Sequence, residues 1–440
     1  MHIKNLPFSN PSDVYEKLQS LNSVLLESQK NGNHSYIALH PYMIFKSKGE
    51  MIEIQKGRKK IRKRGNPIKE LKHILGKRIK RKNNWPLFYS GCIGYFSYEL
   101  VHFFEKLPRK AKDDLRLPDL YLIFPKDIIY FDHKKKIMRI LCKNKADMAG
   151  ILEKIEGKTK KLTDHAPKNI TFRSNYTYPA YKKAVHSCKE YVRAGDAFQI
   201  KISQRFESNI EDDAFEIYKR LKKINPSPYA AFLNFEDCTL VSCSPEHLVK
   251  VENNEIETRP IGGTYPRGKN AQQDREILQR FRKDEKERSE HLMLIDLERN
   301  DLGRVCAYGS VKVDEKMTIE KYSHLMHIVT NIKGKLQRNK DIFDVLRALF
   351  PGGTITGCPK IRAMEIIDEI EPVARGPYTG SIGFMNFSNE MDLNIIIRTL
   401  ILKGKKGYVQ VGGGIVADSN PKKEYQETIH KAEALFEAIK

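Results

Sequence analysis

No run of about 18 apolar residues occurs in this 440-residue chain, so its sequence holds no candidate transmembrane helix. The opening residues, Met1-His-Ile-Lys-Asn-Leu-Pro-Phe, lack the apolar core of a secretory signal. Cysteine is sparse. The seven present (Cys92, Cys142, Cys188, Cys238, Cys243, Cys306 and Cys358) are an odd, scattered set without a C-x-x-C pair. That pattern argues against a disulfide framework and a zinc site, and for a reducing cytoplasm. No short-period repeat is found, which removes solenoids and propellers. Acidic residues are outnumbered, 55 Asp and Glu against 78 Lys and Arg, for a formal net charge of +23. Phosphate binding needs clustered Lys and Arg, so a nucleic acid is the first partner to weigh. Yet the densest run, Lys56-Gly-Arg-Lys-Lys-Ile-Arg-Lys-Arg64, has no interleaved aromatic residue to stack on bases. That run, and Lys77-Arg-Ile-Lys-Arg-Lys82 after it, read better as a solvated surface loop or helix. Nucleic acid is therefore not the expected partner, and the charge excess equally suits a small anionic substrate.

What is present is a soluble globular composition, 40% apolar and 30% charged, with length enough for two or three domains. Residues 1–165 alternate short apolar strands with basic connectors. Examples are Ser35-Tyr-Ile-Ala-Leu-His40, Met43-Ile-Phe-Lys-Ser47 and Asp127-Ile-Ile-Tyr-Phe-Asp132. Gly91-Cys-Ile-Gly-Tyr-Phe-Ser-Tyr98 reads as a buried strand leading into a helix. A Lys-rich stretch over 154–168 reads as a linker between this region and a second one, 166–440. In the second region a helix over 181–194 is stopped by Gly195. Strands are expected over 198–206, 230–235, 239–242, 248–251, 381–385, 392–402 and 407–411, with helices over 271–297 and 360–370. Strands and helices come in blocks, which favours an α+β fold with a large antiparallel, sandwich-like core flanked by helices.

Several segments gather groups that a charged substrate would need. In Glu424-x-x-Glu427-x-x-x-Lys431 the three side chains share one helical face. Two carboxylates beside cations suit a hard divalent metal carrying an anionic ligand, though alone the pattern also fits a solvated helix. Ser244-Pro-Glu246 sets a carboxylate just past a strand. Thr258-Arg-Pro-Ile-Gly-Gly-Thr-Tyr-Pro-Arg-Gly268 reads as a loop whose adjacent glycines free backbone N–H groups for an anion. Glu290 lies on a charged helix that runs into a polar turn, and His327 follows His324 at helical spacing. Phe350-Pro-Gly-Gly-Thr-Ile-Thr-Gly-Cys-Pro-Lys360, Arg398 and Val411-Gly-Gly-Gly-Ile-Val-Ala-Asp-Ser419 complete the series. Each segment alone has a structural explanation; their order is what carries information.

That ordered set resembles the chorismate-binding enzymes, which include the large subunits of anthranilate synthase and aminodeoxychorismate synthase. The resemblance is strong from about residue 178 onward and weaker through Val24-Leu-Leu-Glu-Ser28 and Gly94-Tyr-Phe-Ser-Tyr98. It implies chorismate as the substrate and Mg2+ as the cofactor. Glu290, Glu424 and Glu427 match the metal ligands, and Glu246 matches the general acid that protonates the departing C4 hydroxyl. His327 matches an active-site histidine. Gly263 and Thr264 match the lining of the ring's substitution face. Thr354 and the backbone of Gly412, Gly413 and Gly414 match substrate-binding positions, while Tyr378, Arg398 and Lys431 match the groups that fix the enolpyruvyl side. Leu26, Glu27 and Ser28, with Asn225, Pro226 and Tyr229, resemble a tryptophan site of feedback-inhibited members. The match departs at Ala230, where methionine is usual.

Two products remain open. Aminodeoxychorismate synthases typically carry a lysine in the Pro260-Ile-Gly-Gly-Thr264 segment, which occupies C2 and directs ammonia to C4. This chain has Gly262, and anthranilate synthases usually have alanine, so position 262 favours amination at C2 and anthranilate. Gly353 and Gly413 pull toward aminodeoxychorismate synthase, since anthranilate synthases usually show alanine there. Ammonia must come from elsewhere. Ser90-Gly-Cys-Ile-Gly94 superficially looks like a glutaminase turn, but no histidine is followed two residues later by Glu. Cys92 is expected to be a buried structural thiol, and the expected partner is a separate glutamine amidotransferase subunit.

Overall fold

The strands His34–Lys48 and Leu120–Asp132 run antiparallel over nearly their whole length, with a bulge between Pro41 and Met43. Before the bulge the first pairs with Ser23–Glu27; beyond it, with Met51–Lys56. The second strand pairs with Cys92–Phe96 at its start and with Ile137–Cys142 at its end. This pair therefore turns a corner and joins two layers. The computed structural model describes residues 2–29, 33–76, 79–157, 170–268, 270–321 and 325–440; the side chains of Thr264, Pro266 and Leu325 lie outside the description.

One layer continues from Ser23–Glu27 through Tyr229–Asn234, Thr239–Ser244, Thr399–Lys403 and Lys406–Ile415 to Gln199–Asn209. The other runs from Cys92–Phe96 through Ser381–Met385, Met391–Asn394, His247–Glu252 and Glu255–Arg259 to Leu325–Lys335. This is the expected α+β architecture, a large antiparallel sheet flanked by helices. Strands from before residue 165 sit inside both layers, and one apolar core packs Phe45, Phe96 and Leu122 with Leu248, Ile332 and Leu346. Each such burial contributes about 1.5–3 kcal/mol, so the two sequence regions hold one another in place.

The local expectations differ from the structure at six places. The helix expected over 271–297 is two helices, Ala271–Lys283 and Glu285–Gly303. Asp284 divides them, its carboxylate accepting the backbone N–H of Glu287 at 3.1 Å as an N-cap. The strand expected over 392–402 stops at Asn394 and resumes at Thr399, with Arg398 at φ +50° in the gap. His327 lies on the strand Leu325–Lys335, not a helix, because the run Ile328-Val-Thr330 packs better on a pleated surface. His324 lies outside the described residues. Residues 258–268, read as a loop, belong largely to the strands Glu255–Arg259 and Ile261–Pro266. The basic run 56–64 is a β-hairpin whose outer strand, Lys59–Arg64, is exposed throughout. Of the 154–168 stretch, residues 154–156 end the helix Lys145–Glu156, and 158–168 lie outside the described residues.

Candidate active site

The floor is the ladder between Gln199–Asn209 and Lys406–Ile415, in which Lys201 faces Gly414 and Ser203 faces Gly412. Alternation along the first strand turns Gln199, Lys201 and Ser203 to one side and Ile200 and Ile202 into the core. A Cβ on Gly414 would stand 2.7 Å from both Gln199 Nε2 and Lys201 Nζ, so the glycine gives these side chains room to cross the ladder there. Both reach Glu290: Gln199 Nε2 donates to its Oε1 at 2.7 Å and Lys201 Nζ at 3.2 Å. The Lys201 charge holds the Glu290 carboxyl below its ordinary range despite burial.

The helix Pro421–Ile439 closes the other side of this floor. Asn420 caps it, and Thr428, Ala432 and Leu435 bury its inner stripe. Glu424, Glu427 and Lys431 lie along its site face. Lys431 Nζ pairs with Glu427 at 2.7 Å and donates to the Gly412 carbonyl at 3.1 Å. Burial pushes Glu427 up, but the Lys431 charge outweighs it and the carboxyl ends below its ordinary value. Glu424 has no such cation at bonding distance among the described residues; burial raises it, and the Glu427 charge adds to the rise. Glu287, one turn before Glu290, is pushed up to about 7 by burial and by the Glu290 charge.

Glu246 sits apart from the lysines' direct grip. It follows the strand Thr239–Ser244, is 5% exposed, and accepts the Ile261 backbone N–H at 3.5 Å. Burial pushes its carboxyl up to about 7; the Thr354 hydroxyl and the more distant charges of Lys201 and Lys431 only partly offset that. The opposite wall holds His327, whose Nδ1 lies 3.0 Å from the Gly263 carbonyl oxygen. A carbonyl can only accept, so Nδ1 carries the proton and Nε2 is the acceptor. Burial lowers this imidazole to about 4, leaving it neutral. Arg398, whose charge reaches His327, donates to Asn225 Oδ1 at 3.1 Å. Tyr378 is buried, and its hydroxyl would lie 2.9 Å from a Cβ on Gly412.

Gly262 has a neighbour that sequence reasoning missed. His291, fully buried on the helix Glu285–Gly303, bonds Thr330 Oγ1 through Nε2 at 2.7 Å. A Cβ on Gly262 would meet its Nδ1 at 2.4 Å and its Cγ at 3.0 Å. The ring is pinned, so position 262 has no room for a side chain.

Residues 22–437 match the chorismate binding enzyme family. The chain is a chorismate-binding enzyme. It is 40% identical to the aminodeoxychorismate synthase component 1 of Bacillus subtilis (strain 168), over 99% of this chain and 96% of that one. It is also 40% identical to the anthranilate synthase component 1 of Acetivibrio thermocellus, over 94% of this chain and 89% of the relative. The crystal structure of anthranilate synthase component I from Streptococcus pneumoniae TIGR4 superposes with a TM-score of 0.84 at 32% identity, covering 97% of each chain. The menaquinone-specific isochorismate synthase of Escherichia coli shares the fold, with a TM-score of 0.76 at 14% identity.

In this chorismate-binding chain Glu246, Glu290, Glu424, Glu427 and Lys431 are linked by mutual electrostatic contact, with Thr354 against Glu246. Gly263 meets His327, and the Thr264 side chain lies outside the described residues. The carboxylates near Glu290 fit a hard divalent cation in kind: all are oxygen donors, and burial, with neighbouring carboxylate charge, raises Glu424 and Glu287. They are not gathered into a finished cage, since among the described residues no three His, Cys, Asp or Glu stand close enough to hold a metal ion. Lys201 went unnoticed in the sequence, although a polar residue between Ile200 and Ile202 is the mark of a sheet face that meets something charged.

The second predicted cluster is also assembled. Leu26 and Glu27 pair with Ala231 and Ala230, and Ser28 N–H donates to Ser35 Oγ at 3.0 Å. Asn225 and Pro226 lead from a helix end into the strand that begins at Tyr229, whose ring stacks on His247. Glu27 is already committed, accepting Tyr218 Oη at 2.6 Å and Lys222 Nζ at 2.8 Å. Cys92 is buried in its strand, and burial pushes its thiol up to about 12. Among the described residues no helix is long and apolar enough to cross a membrane.

Proposed function

We propose that this chain aminates chorismate at C2 and then eliminates pyruvate, yielding anthranilate, with ammonia passed from a separate glutamine amidotransferase subunit. The observation that carries this reading is the contact between Gly262 and His291. A lysine at 262 that could block C2 is absent, and His291 stands where a Cβ at that position would be. The C2 face is left to ammonia.

Mg2+ is the expected cofactor, held by Glu290, Glu424 and Glu427; when bound, it draws electron density from the ring through the ring carboxylate. The chain's own side chains do the rest. Glu246, which burial leaves partly protonated near pH 7, donates its proton to the C4 hydroxyl as that group leaves as water. Arg398 and Lys431 orient the enolpyruvyl carboxylate, with Tyr378 alongside. Neutral His327 offers an acceptor at the ring edge. Loss of the C2 proton and of pyruvate then restores aromaticity. Thr264 is assigned to the same face by resemblance, and Leu26 to Ser28 with Asn225, Pro226 and Tyr229 to tryptophan.

Aminodeoxychorismate formation is the second reading, favoured by Gly353 and Gly413 and by the Bacillus subtilis relative. Purified chain incubated with chorismate, Mg2+ and ammonium salt separates the two. Fluorescent anthranilate is the expected product. 4-Aminobenzoate appearing only after a lyase is added supports the second reading, and isochorismate or salicylate rejects both.

A further inference from the structure

Lys201 takes no part in the mechanism above, yet it sits at the centre of the site. Its amine lies 3.2 Å from Glu290 Oε1, and both side chains are mostly buried, with 20% and 26% of their surfaces exposed. Its charge also reaches Glu427 and Glu246. The backbone beneath it is clamped: Lys201 N–H donates to the Thr356 carbonyl at 2.9 Å, and Arg375 Nη2 donates to the Lys201 carbonyl at 2.7 Å. Two residues on, Glu371 holds Ser203 through its N–H and hydroxyl. Only the side chain is left to move, and Gly414 opposite leaves it space.

A monovalent ammonium on one carboxylate of a three-carboxylate set does two things. It neutralises charge that would otherwise splay the set, and it competes with a divalent ion for the same oxygen. Lys431 grips Glu427 in the same way, so two of the three carboxylates are held by lysines. We propose that Lys201 is a built-in counter-ion that occupies Glu290 until the substrate's carboxylate draws it away, so that divalent-cation and chorismate binding reinforce one another. This rests on the assignment of Glu290, Glu424 and Glu427 to Mg2+. By linkage, whatever factor chorismate adds to cation affinity, the cation adds to chorismate affinity.

The test is titration calorimetry of Mg2+ into the full chain, with and without chorismate and without ammonia, checked by the free Mn2+ electron-spin-resonance signal. Wild type, Lys201→Met, Lys201→Gln and Lys201→Arg are compared, each shown folded by circular dichroism. Wild type binds Mg2+ weakly alone and about tenfold or more tightly with chorismate. The two neutral variants bind it about tenfold more tightly than wild type without substrate and gain about tenfold less than wild type from chorismate. Lys201→Arg behaves as wild type. Neutral variants that bind no more tightly than wild type overturn the counter-ion role while leaving the metal assignment standing. Absence of Mg2+ uptake by every protein, with or without chorismate, overturns both.

Discussion

Two pairs of glutamates are treated in opposite ways. Glu290 and Glu427 each touch a lysine, and both carboxyls are held below their ordinary value. Glu246 and Glu298 lie deeper, and burial pushes both up to about 7. Under the proposed reaction the second pair holds protons and the first a cation. Identical side chains are thus set to opposite charge preferences by burial and neighbours alone.

The largest expected effect lies in exchanging these roles. Glu246→Gln removes the acid but leaves the ligands, so kcat for ammonia-dependent turnover falls about 10²–10⁴-fold with Mg2+ binding intact. Glu290→Gln has the reverse signature: Mg2+ uptake and turnover are both lost while thermal stability is kept. If both variants lose Mg2+ uptake equally, the cleft is not divided as described.

Next comes the wall at Gly262. Gly262→Ala forces a Cβ to within 2.4 Å of His291 Nδ1, an overpacking that costs about 1–3 kcal/mol by denaturant unfolding. His291→Ala in the same chain restores most of it, and the coupling shows in a double-mutant cycle. Simple additivity would place the two residues out of contact.

The pH profile is a gentler probe. An acid of pKa about 7 is protonated below that value, so kcat/KM expressed per free ammonia falls as pH rises through about 7. The limb disappears in Glu246→Gln. A limb near pH 4 would mean that Glu246 is solvated like an ordinary carboxylate.

The ordering of motifs made much of this legible before any coordinates. Helical spacing set Glu424, Glu427 and Lys431 on one face and a strand end set Glu246 apart, but only the order of the motifs suggested their roles. Lys201 and His291 were hidden for a physical reason: each has meaning only through a partner far away in sequence. A lysine in a strand reads as solvent-facing until Glu290 is brought across from another element, and His291 reads as a helix residue until Gly262 is laid against it. Asp284 was lost among charged neighbours, although an Asp before Glu-Lys-Glu is itself a helix-start signal. The antiparallel core was readable from blocks of alternation; the corner at Pro41–Met43, which lets early strands enter both layers, was not.

The smallest effect belongs outside the cleft. Lys59→Gln with Arg62→Gln on the exposed hairpin strand leaves turnover unchanged and stability within about 0.5 kcal/mol. Loss of turnover would tie the basic surface to the chemistry.

The division between the two carboxylate sets is tested most directly by infrared titration of the metal-free chain from about pH 5 to 9, with Glu246→Gln and Glu290→Gln for subtraction. The account predicts a protonated-carboxyl stretch that fades as pH rises through about 7, part of which is missing in Glu246→Gln and none in Glu290→Gln. A Glu246 already ionised at about pH 5, or a band that vanishes with Glu290 instead, would contradict it.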